Sequence, residues 1–451
     1  MPTWKLTATG MSTNARMKFC LLAACFADGV DLGLFPASFR AMERDMEFTP
    51  SELGNLCMKT GLAYCSFSLV WGVLADRMNR KVLLMITSAA LAVVMVATAH
   101  AESRLWFSFL RIAAGAITAA ANPIMQSLIS QVVPKEERGN AFGQLILGTI
   151  AAGACASGLV AHFAWRSAYL VTGLANAAIC ALLWVVQPDI QSQGELEELS
   201  GDTVRVELAK AAALSRIRTF PVLIASGMMG CIPWSALQFL QLYFESIGHS
   251  TGVAASLITF LAIGKAIGAW LGGIIGDCVA CRMPRHGRAF IAQTTVLLGI
   301  VTMWVLLRWC PQDPSYFRTT ALASFLFGLT STWAGPAVDR PIWSELAPDN
   351  SAMAMAVWTF IAGAFSSLMG APIVGWVADS VLGYKEVEND NASNAAALGT
   401  ALLICTVGPW MVCFLFYSLV HVTYPLDTGS ETRPFAKSAA VKSMDAFHRG
   451  P

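Results

Sequence analysis

Twelve long apolar runs dominate this sequence, at 19–39, 53–75, 82–101, 105–133, 139–165, 167–186, 219–244, 253–276, 289–307, 319–346, 350–378 and 394–424. A helix needs about 20 mainly apolar residues to cross the hydrocarbon layer of a bilayer. Within that layer every backbone N–H and C=O must be satisfied by the protein itself, so only helices and closed barrels can span it. A transmembrane barrel shows short strands of alternating polarity, whereas these runs are continuously apolar. The chain is therefore read as an all-α membrane protein with 12 transmembrane helices. Composition agrees: charged residues are only 13% and the formal net charge is +1. So few charges cannot keep a soluble fold in solution, and the balance leaves no basic field for nucleic acid.

Orientation follows from where Lys and Arg collect beside the spans. With the N-terminus in the cytoplasm, the inner segments hold Lys5, Arg16, Lys18, Arg77, Arg80, Lys81, Lys135, Arg138, Arg205, Lys210, Arg216, Arg218, Arg282, Arg285, Arg288, Arg433, Lys437, Lys442 and Arg449. The outer segments hold only Arg40, Arg44, Arg104, Arg166, Arg308, Arg318 and Lys385. This asymmetry places both termini inside. It divides the chain into a cytoplasmic N-terminus (1–18), a six-helix bundle (19–186), a cytoplasmic connector (187–218), a second six-helix bundle (219–424) and a cytoplasmic tail (425–451). The first run is a full span carrying Asp28 and Asp31, without the short apolar core and cleavage site of a signal peptide. One sequon, Asn391-Ala392-Ser393, falls in an outer loop and marks Asn391 as a glycosylation candidate. Plasma membrane and endomembrane fit equally.

The two halves echo one another, as transporter repeats do. Gly72-x-x-x-Asp76-Arg77 closes the second run, and Gly273-x-x-x-Asp277 closes the eighth. Ser130-Gln131-Val132-Val133-Pro134 follows the fourth run, and Ser344-Glu345-Leu346-Ala347-Pro348 ends the tenth. The stretch Gly72-Val73-Leu74-Ala75-Asp76-Arg77-Met78-Asn79-Arg80-Lys81 resembles the G-x-L-A-D-R-x-x-R-K signature of the major facilitator superfamily, and Arg111-Ile112-Ala113-Ala114-Gly115 resembles its fourth-helix R-x-x-x-G motif. Within that superfamily the acidic first helix and Pro134-x-x-x-Arg138-Gly139 look closest to spinster-like carriers. The resemblance implies two six-helix bundles that rock about a central site, open alternately to either side.

Four cations, Lys59, Arg111, Lys265 and Arg340, lie inside the spans, where charge is costly and faces protein or a watery cavity. Asp28 and Asp31 share a face of the first helix. Two close carboxylates disfavour joint ionisation, so either acid is a candidate proton carrier. In spinster-like proteins a first-helix Asp and the fourth-helix Arg are implicated in proton coupling. Asp28 and Arg111 hold the matching positions, with Asp31 an additional acid; a fixed ion pair is the alternative. Helical spacing aligns Arg111, Gly115, Asn122 and Gln126 on the fourth helix. It likewise aligns Trp234, Gln238, Gln241 and Glu245 on the seventh, and Thr332, Pro336, Asp339 and Trp343 on the tenth. These stripes line a substrate cavity or make helix–helix contacts. Lys265, Asp339 and Arg340 complete the candidate cavity set, and cations there suit an anionic or zwitterionic solute. The glycines at 264, 268, 272 and 276, repeating beside Lys265, mark tight helix packing.

Gly72, Asp76, Arg77, Arg80 and Lys81 form a candidate gating motif. Gly72 would admit close helix approach, and Asp76 would latch the cytoplasmic side in the outward-open state; the alternative is a static loop that only fixes topology. In the second half Cys278 replaces the Arg, so that latch looks degraded. Cys278-x-x-Cys281 with His286 lacks the second pair of a zinc site, and no metal or cofactor is expected. The fifth helix carries Ala152-Gly153-Ala154 where drug/proton antiporters have Gly-Pro, which disfavours antiport. There is no Walker P-loop and no nucleophile–His–acid set, so no enzyme activity is expected. The reading is a monomeric, proton-coupled secondary carrier of a small organic solute, whose other partners are membrane lipid and protons; import or symport is preferred. A spinster-type lysolipid carrier and a non-transporting sensor on the same fold are the alternatives.

Overall fold

The computed structural model describes residues 26, 29–121, 124, 138–186, 214–311, 313–347, 351–385 and 391–429. Among these residues the chain is helical throughout, without strands. Nine helical stretches among them are long and apolar enough to cross a membrane: Pro50–Ala75, Val82–Ala99, Trp165–Val185, Thr219–Ser246, Thr251–Arg282, Gly287–Trp309, Pro314–Trp343, Ala354–Val381 and Ala392–Thr428. The first and fourth runs are described in part, and the fifth forms the Arg138–His162 helix.

We label the helices α1 (residues 29–37), α2 (Phe39–Met46), α3 (Pro50–Arg77), α4 (Arg80–Ala99), α5 (Arg104–Thr118), α6 (Arg138–His162) and α7 (Trp165–Val186) in the first half. The second half holds α8 (Thr219–Ala236), α9 (Leu240–Ser246), α10 (Thr251–Arg282), α11 (Gly287–Trp304), α12 (Phe317–Ser331), α13 (Arg340–Leu346), α14 (Ser351–Met369), α15 (Ala371–Trp376) and α16 (Asn391–Gly429).

Local chemistry explains where these helices start and stop. Thr49 and Glu52 form a reciprocal capping box ahead of α3, with bonds of 3.2 and 2.9 Å, and Pro50 occupies the first turn where its missing N–H is harmless. The first run continues past residue 39: the buried Ser38 hydroxyl donates to Leu34 O at 2.7 Å, and α2 then runs until Glu47 adopts a left-handed φ of 52°. Arg40 and Arg44, read from the sequence as loop residues, therefore sit on a helix. In the same way α10 extends through Arg282, so Cys278 and Cys281 lie on a helix and not in a loop.

The tenth run is broken. Helix α12 ends at Ser331, a π-turn spans Gly335–Asp339, and α13 follows. Pro336 and Pro341 lack the N–H that a continuous helix would use. Thr295 supports the gap from α11, its hydroxyl donating to Thr330 O at 2.6 Å and accepting from Trp333 N at 3.4 Å. The small-residue ladder of α10 packs here as its spacing implies. Gly264 and Gly268 meet the carbonyls of Phe325 and Leu329, Gly272 meets the Trp333 ring, and Gly276 meets Ala337. A Cβ at Gly272 would stand 2.6 Å from the ring, so any side chain there must displace the break.

The halves join at one end of the molecule. Gly54, Gly61 and Cys65 of α3 face Ala371, Ser367 and Gly363, and Pro50 faces Gly375. Beyond this paired surface Ser66, Phe67, Leu69, Val70 and Val73 of α3 are exposed. At the joined end Phe39 packs on Phe239, with ring centroids 5.1 Å apart.

Candidate functional site

In the first half the polar centre is an ion pair. Arg111 of α5 donates to Asp31 of α1, with Nη1–Oδ1 at 2.7 Å and Nη2–Oδ2 at 3.5 Å. Both side chains are almost fully buried, 3% and 2% exposed. The guanidinium also lies 4.7 Å from the Phe35 ring centroid and 5.9 Å from that of Tyr169. Among the described residues its Nε has no hydrogen-bond partner. The acid brought to Arg111 among these residues is Asp31, which the resemblance had left without a role. Asp28, together with Asn122 and Gln126, lies outside the described residues. Gly115, on the same stripe, faces α3: a Cβ there would meet Thr60 O at 2.6 Å.

In the second half the polar centre is a cation without a carboxylate. The Lys265 ammonium of α10 stands 4.6 Å from the Trp234 ring centroid of α8, and the side chain has no ion pair or hydrogen bond among the described residues. Trp234 is held edge-on against Trp410 at 6.1 Å and tilted against Phe327 at 6.4 Å. A cation over an indole gains roughly 0.5–2 kcal/mol, whereas a Lys at mid-membrane costs about 2.5–3.5 kcal/mol on insertion scales. The indole alone does not offset that cost. Lys265 is half-buried, so its ammonium is open to water or to an anionic group from outside.

The seventh-span stripe connects this centre to the joined end. Trp234 and Gln238 are half-buried, while Gln241 and Glu245 are buried. Gln241 Nε2 donates to Glu245 Oε1 at 3.3 Å and to Ala37 O of the opposite half at 3.4 Å. The stripe turns with the chain, because Pro233 lies inside α8 and a 3-10 turn at Leu237–Phe239 separates α8 from α9.

A second inter-half cluster was not among the residues singled out from the sequence. Tyr384 donates to both oxygens of the buried Glu43 at 3.0 and 3.1 Å, and Arg40 reaches Tyr384 Oη at 3.3 Å and Glu43 Oε2 at 3.4 Å. Burial and the adjacent Glu43 carboxylate push the Tyr384 phenol well above its ordinary range, so Tyr384 stays a hydrogen-bond donor at any physiological pH. The cluster bolts α2 to the loop before α16.

On the tenth span Asp339 is buried, with Tyr417 Oη 3.5 Å from its Oδ1, whereas Arg340 is exposed. Trp343 is fully buried against Phe220, with centroids 5.2 Å apart. The Thr332–Trp343 stripe therefore turns largely into the second half and not along one open wall. Lys59 is exposed on α3.

At the loop motif a Cβ on Gly72 would meet nothing within 4 Å among the described residues. The side chains of Asp76, Arg77, Arg80, Lys81 and Asn391 lie outside the described residues. The equivalent place in the second half is better equipped than Cys278 implied. Arg288 lies 3.7 Å from Asp277 and 2.8 Å from Glu345, donates to Ala337 O at 2.9 Å, and Glu345 also bonds Tyr424. Cys278 accepts from Arg282 at 2.7 Å. Among the described residues no group of three or more His, Cys, Asp or Glu is placed to hold a metal.

Comparison with known proteins adds four findings. The family model of the Major Facilitator Superfamily matches residues 20–292. The multi-drug resistance efflux pump PmrA of Streptococcus pneumoniae is 24% identical over 324 residues, 68% of this chain and 76% of that protein. The gallate transporter of Pseudomonas putida is 25% identical over 183 residues, 39% of this chain and 41% of that protein. Among solved structures, a bacterial homologue of the human lysosomal transporter Spinster, inward-facing and unoccupied, is similar with a TM-score of 0.76 at 15% identity, covering 93% of this chain and 99% of that one. At that identity the likeness concerns the fold. The missing Gly-Pro pair in the fifth helix accordingly coexists with a match to a drug efflux pump.

Proposed function

This chain belongs to the Major Facilitator Superfamily, and from that premise we propose that it is a secondary-active carrier of a small anionic or zwitterionic organic solute. It works by alternating access, with proton binding at Asp31 coupled to solute binding at Lys265. The observation that carries this reading is the contrast between the two buried cations. Arg111 has its counter-ion in the protein, and among the described residues Lys265 has an indole but no carboxylate. Such a set offers one charge pair that protonation can switch and one charge that cargo can complete.

In this scheme protonation of Asp31 removes the counter-ion of Arg111 and frees the guanidinium to reorient, which couples α1 to α5. Solute arrives at Lys265 with Trp234 behind it and Gln238 beside it. The end joined by Glu43, Tyr384, Phe39 and Phe239 is the extracytoplasmic gate, as the distribution of Lys and Arg implies. The open surroundings of Gly72 then correspond to an unlatched cytoplasmic side, and the conformation is inward-open. Return to the outward-open state requires the Glu43–Tyr384 bonds to break and the Gly72–Lys81 motif to close.

The test is flux in proteoliposomes under an imposed pH gradient, with candidate organic anions and zwitterions supplied as a mixture and internal contents profiled. Concentrative uptake of an anionic or zwitterionic solute that Lys265→Ala removes supports the reading. Transport of neutral or cationic solutes alone, indifferent to Lys265→Ala and Arg111→Ala, contradicts it.

A further inference from the structure

The joined end encloses a cavity of about 470 Å³ between the outer ends of both halves, a volume within the range of small-molecule sites. Five of its lining side chains are ionisable: Arg40, Arg44 and Asp45 from α2, Arg166 from the start of α7, and Glu245 from α9. Three of them are already committed. Arg40 is bonded to Glu43 and Tyr384. Asp45 is held by Arg166 Nε at 3.1 Å and Trp165 Nε1 at 3.0 Å, and Arg166 also donates to Ala101 O at 2.7 Å.

That leaves one acid and one base. Glu245 is only 7% exposed, is hydrogen-bonded by Gln241 and Thr251, and interacts with Arg40 and Arg44 through space without an ion pair among the described residues. Arg44 is exposed and has no hydrogen bond or ion pair among them. The two belong to opposite halves and face one cavity without closing on each other. A carboxyl group and a guanidinium that face one cavity without touching are complementary to a molecule that carries both charges. A simple anion would contact only Arg44, and a simple cation only Glu245. Phe163 adds an apolar side chain to the lining.

We propose that this cavity is a second binding site, distinct from the Lys265 centre, for a small zwitterion of the α-amino-acid type with an apolar body, its ammonium on Glu245 and its carboxylate on Arg44. A ligand held by both halves at the joined end stabilises the closed gate by mass action, so its occupancy slows opening on that side.

The test is calorimetric titration of the purified full-length protein with leucine and with its two half-analogues, 4-methylpentanoate and 3-methylbutylamine. Binding is read without transport, so the outcome is independent of the carrier reading above. Leucine is expected to bind saturably, and each half-analogue about tenfold or more weaker, as loss of one charge-assisted contact implies. Arg44→Gln and Glu245→Gln should each weaken leucine by a similar factor, and Lys265→Ala should leave it unchanged. Arg44 is exposed, so its variant separates lost binding from lost folding should Glu245→Gln lower the melting temperature. Absence of saturable leucine binding, equal binding of a half-analogue, or binding lost with Lys265→Ala but retained with Arg44→Gln would overturn the proposal.

Discussion

The two halves of this protein bury a cation in different ways. In the first half Arg111 is sealed against Asp31 and two aromatic rings. In the second, Lys265 rests on Trp234 beside a broken helix, half-buried and without a counter-ion among the described residues. An internal pair is self-sufficient, and only a change in its own protonation can disturb it. An incomplete site waits for something from outside. In the proposed scheme the first centre couples and the second binds, and each prediction below attacks that division.

The largest effect is expected at Arg111. Removing one partner of a buried ion pair costs about 3–5 kcal/mol, because the other charge is stranded. Arg111→Ala should therefore lower thermal stability strongly, and adding Asp31→Asn should restore much of it. Equal instability of single and double variants would mean that the pair is not a unit.

Lys265→Ala should do the reverse: leave the melting temperature near wild type and weaken solute affinity about tenfold to a hundredfold, the weight of a charge-assisted hydrogen bond of roughly 1.5–3 kcal/mol. A large stability loss with unaltered affinity would make Lys265 a packing residue and collapse the contrast between the halves.

At the joined end Tyr384→Phe removes the phenol's hydrogen bonds to the buried Glu43. Loss of a hydrogen bond to a charged group, about 1.5–3 kcal/mol, should shift the population toward the state open at that end. Labelling of a cysteine placed at Phe239, buried on Phe39 in the closed gate, should accelerate accordingly; unchanged labelling would remove Tyr384 from the gate.

The smallest effect should come from Gly272→Ala. Its Cβ would press on Trp333, and overpacking typically costs about 1–3 kcal/mol. The strain falls on the tenth-span break beside Lys265, so solute affinity should fall along with stability. A change in stability alone would separate the helix break from the binding centre.

Much of this was legible in the chain itself. The apolar runs announced the membrane helices, the four-residue glycine spacing announced the α10 packing, and Arg111 stood out as a charge where charge is costly. The partner of Arg111 was less accessible. Asp28 and Asp31 share one helix face, and spacing along a single helix does not say which of two neighbours meets a side chain on another. The Glu43–Tyr384 bond joins residues 341 positions apart; both read as ordinary flanking residues, and only tertiary closure pairs them. The break after Ser331 carried a signal in Gly335-Pro336, but hydropathy runs through it uninterrupted. Cys278 gave no sign of the cation beside Asp277, because Arg288 reaches Asp277 and Glu345 from the neighbouring helix.

The central claim is that Asp31 carries the proton that drives transport. Asp31→Asn, measured in proteoliposomes, tests it by comparing uptake driven by an imposed pH gradient with solute exchange at equal pH on both sides. The account predicts that driven uptake is abolished while exchange persists, because a neutral side chain at position 31 fixes the protonated form and leaves the Lys265 centre intact. Driven accumulation at the wild-type level would contradict it.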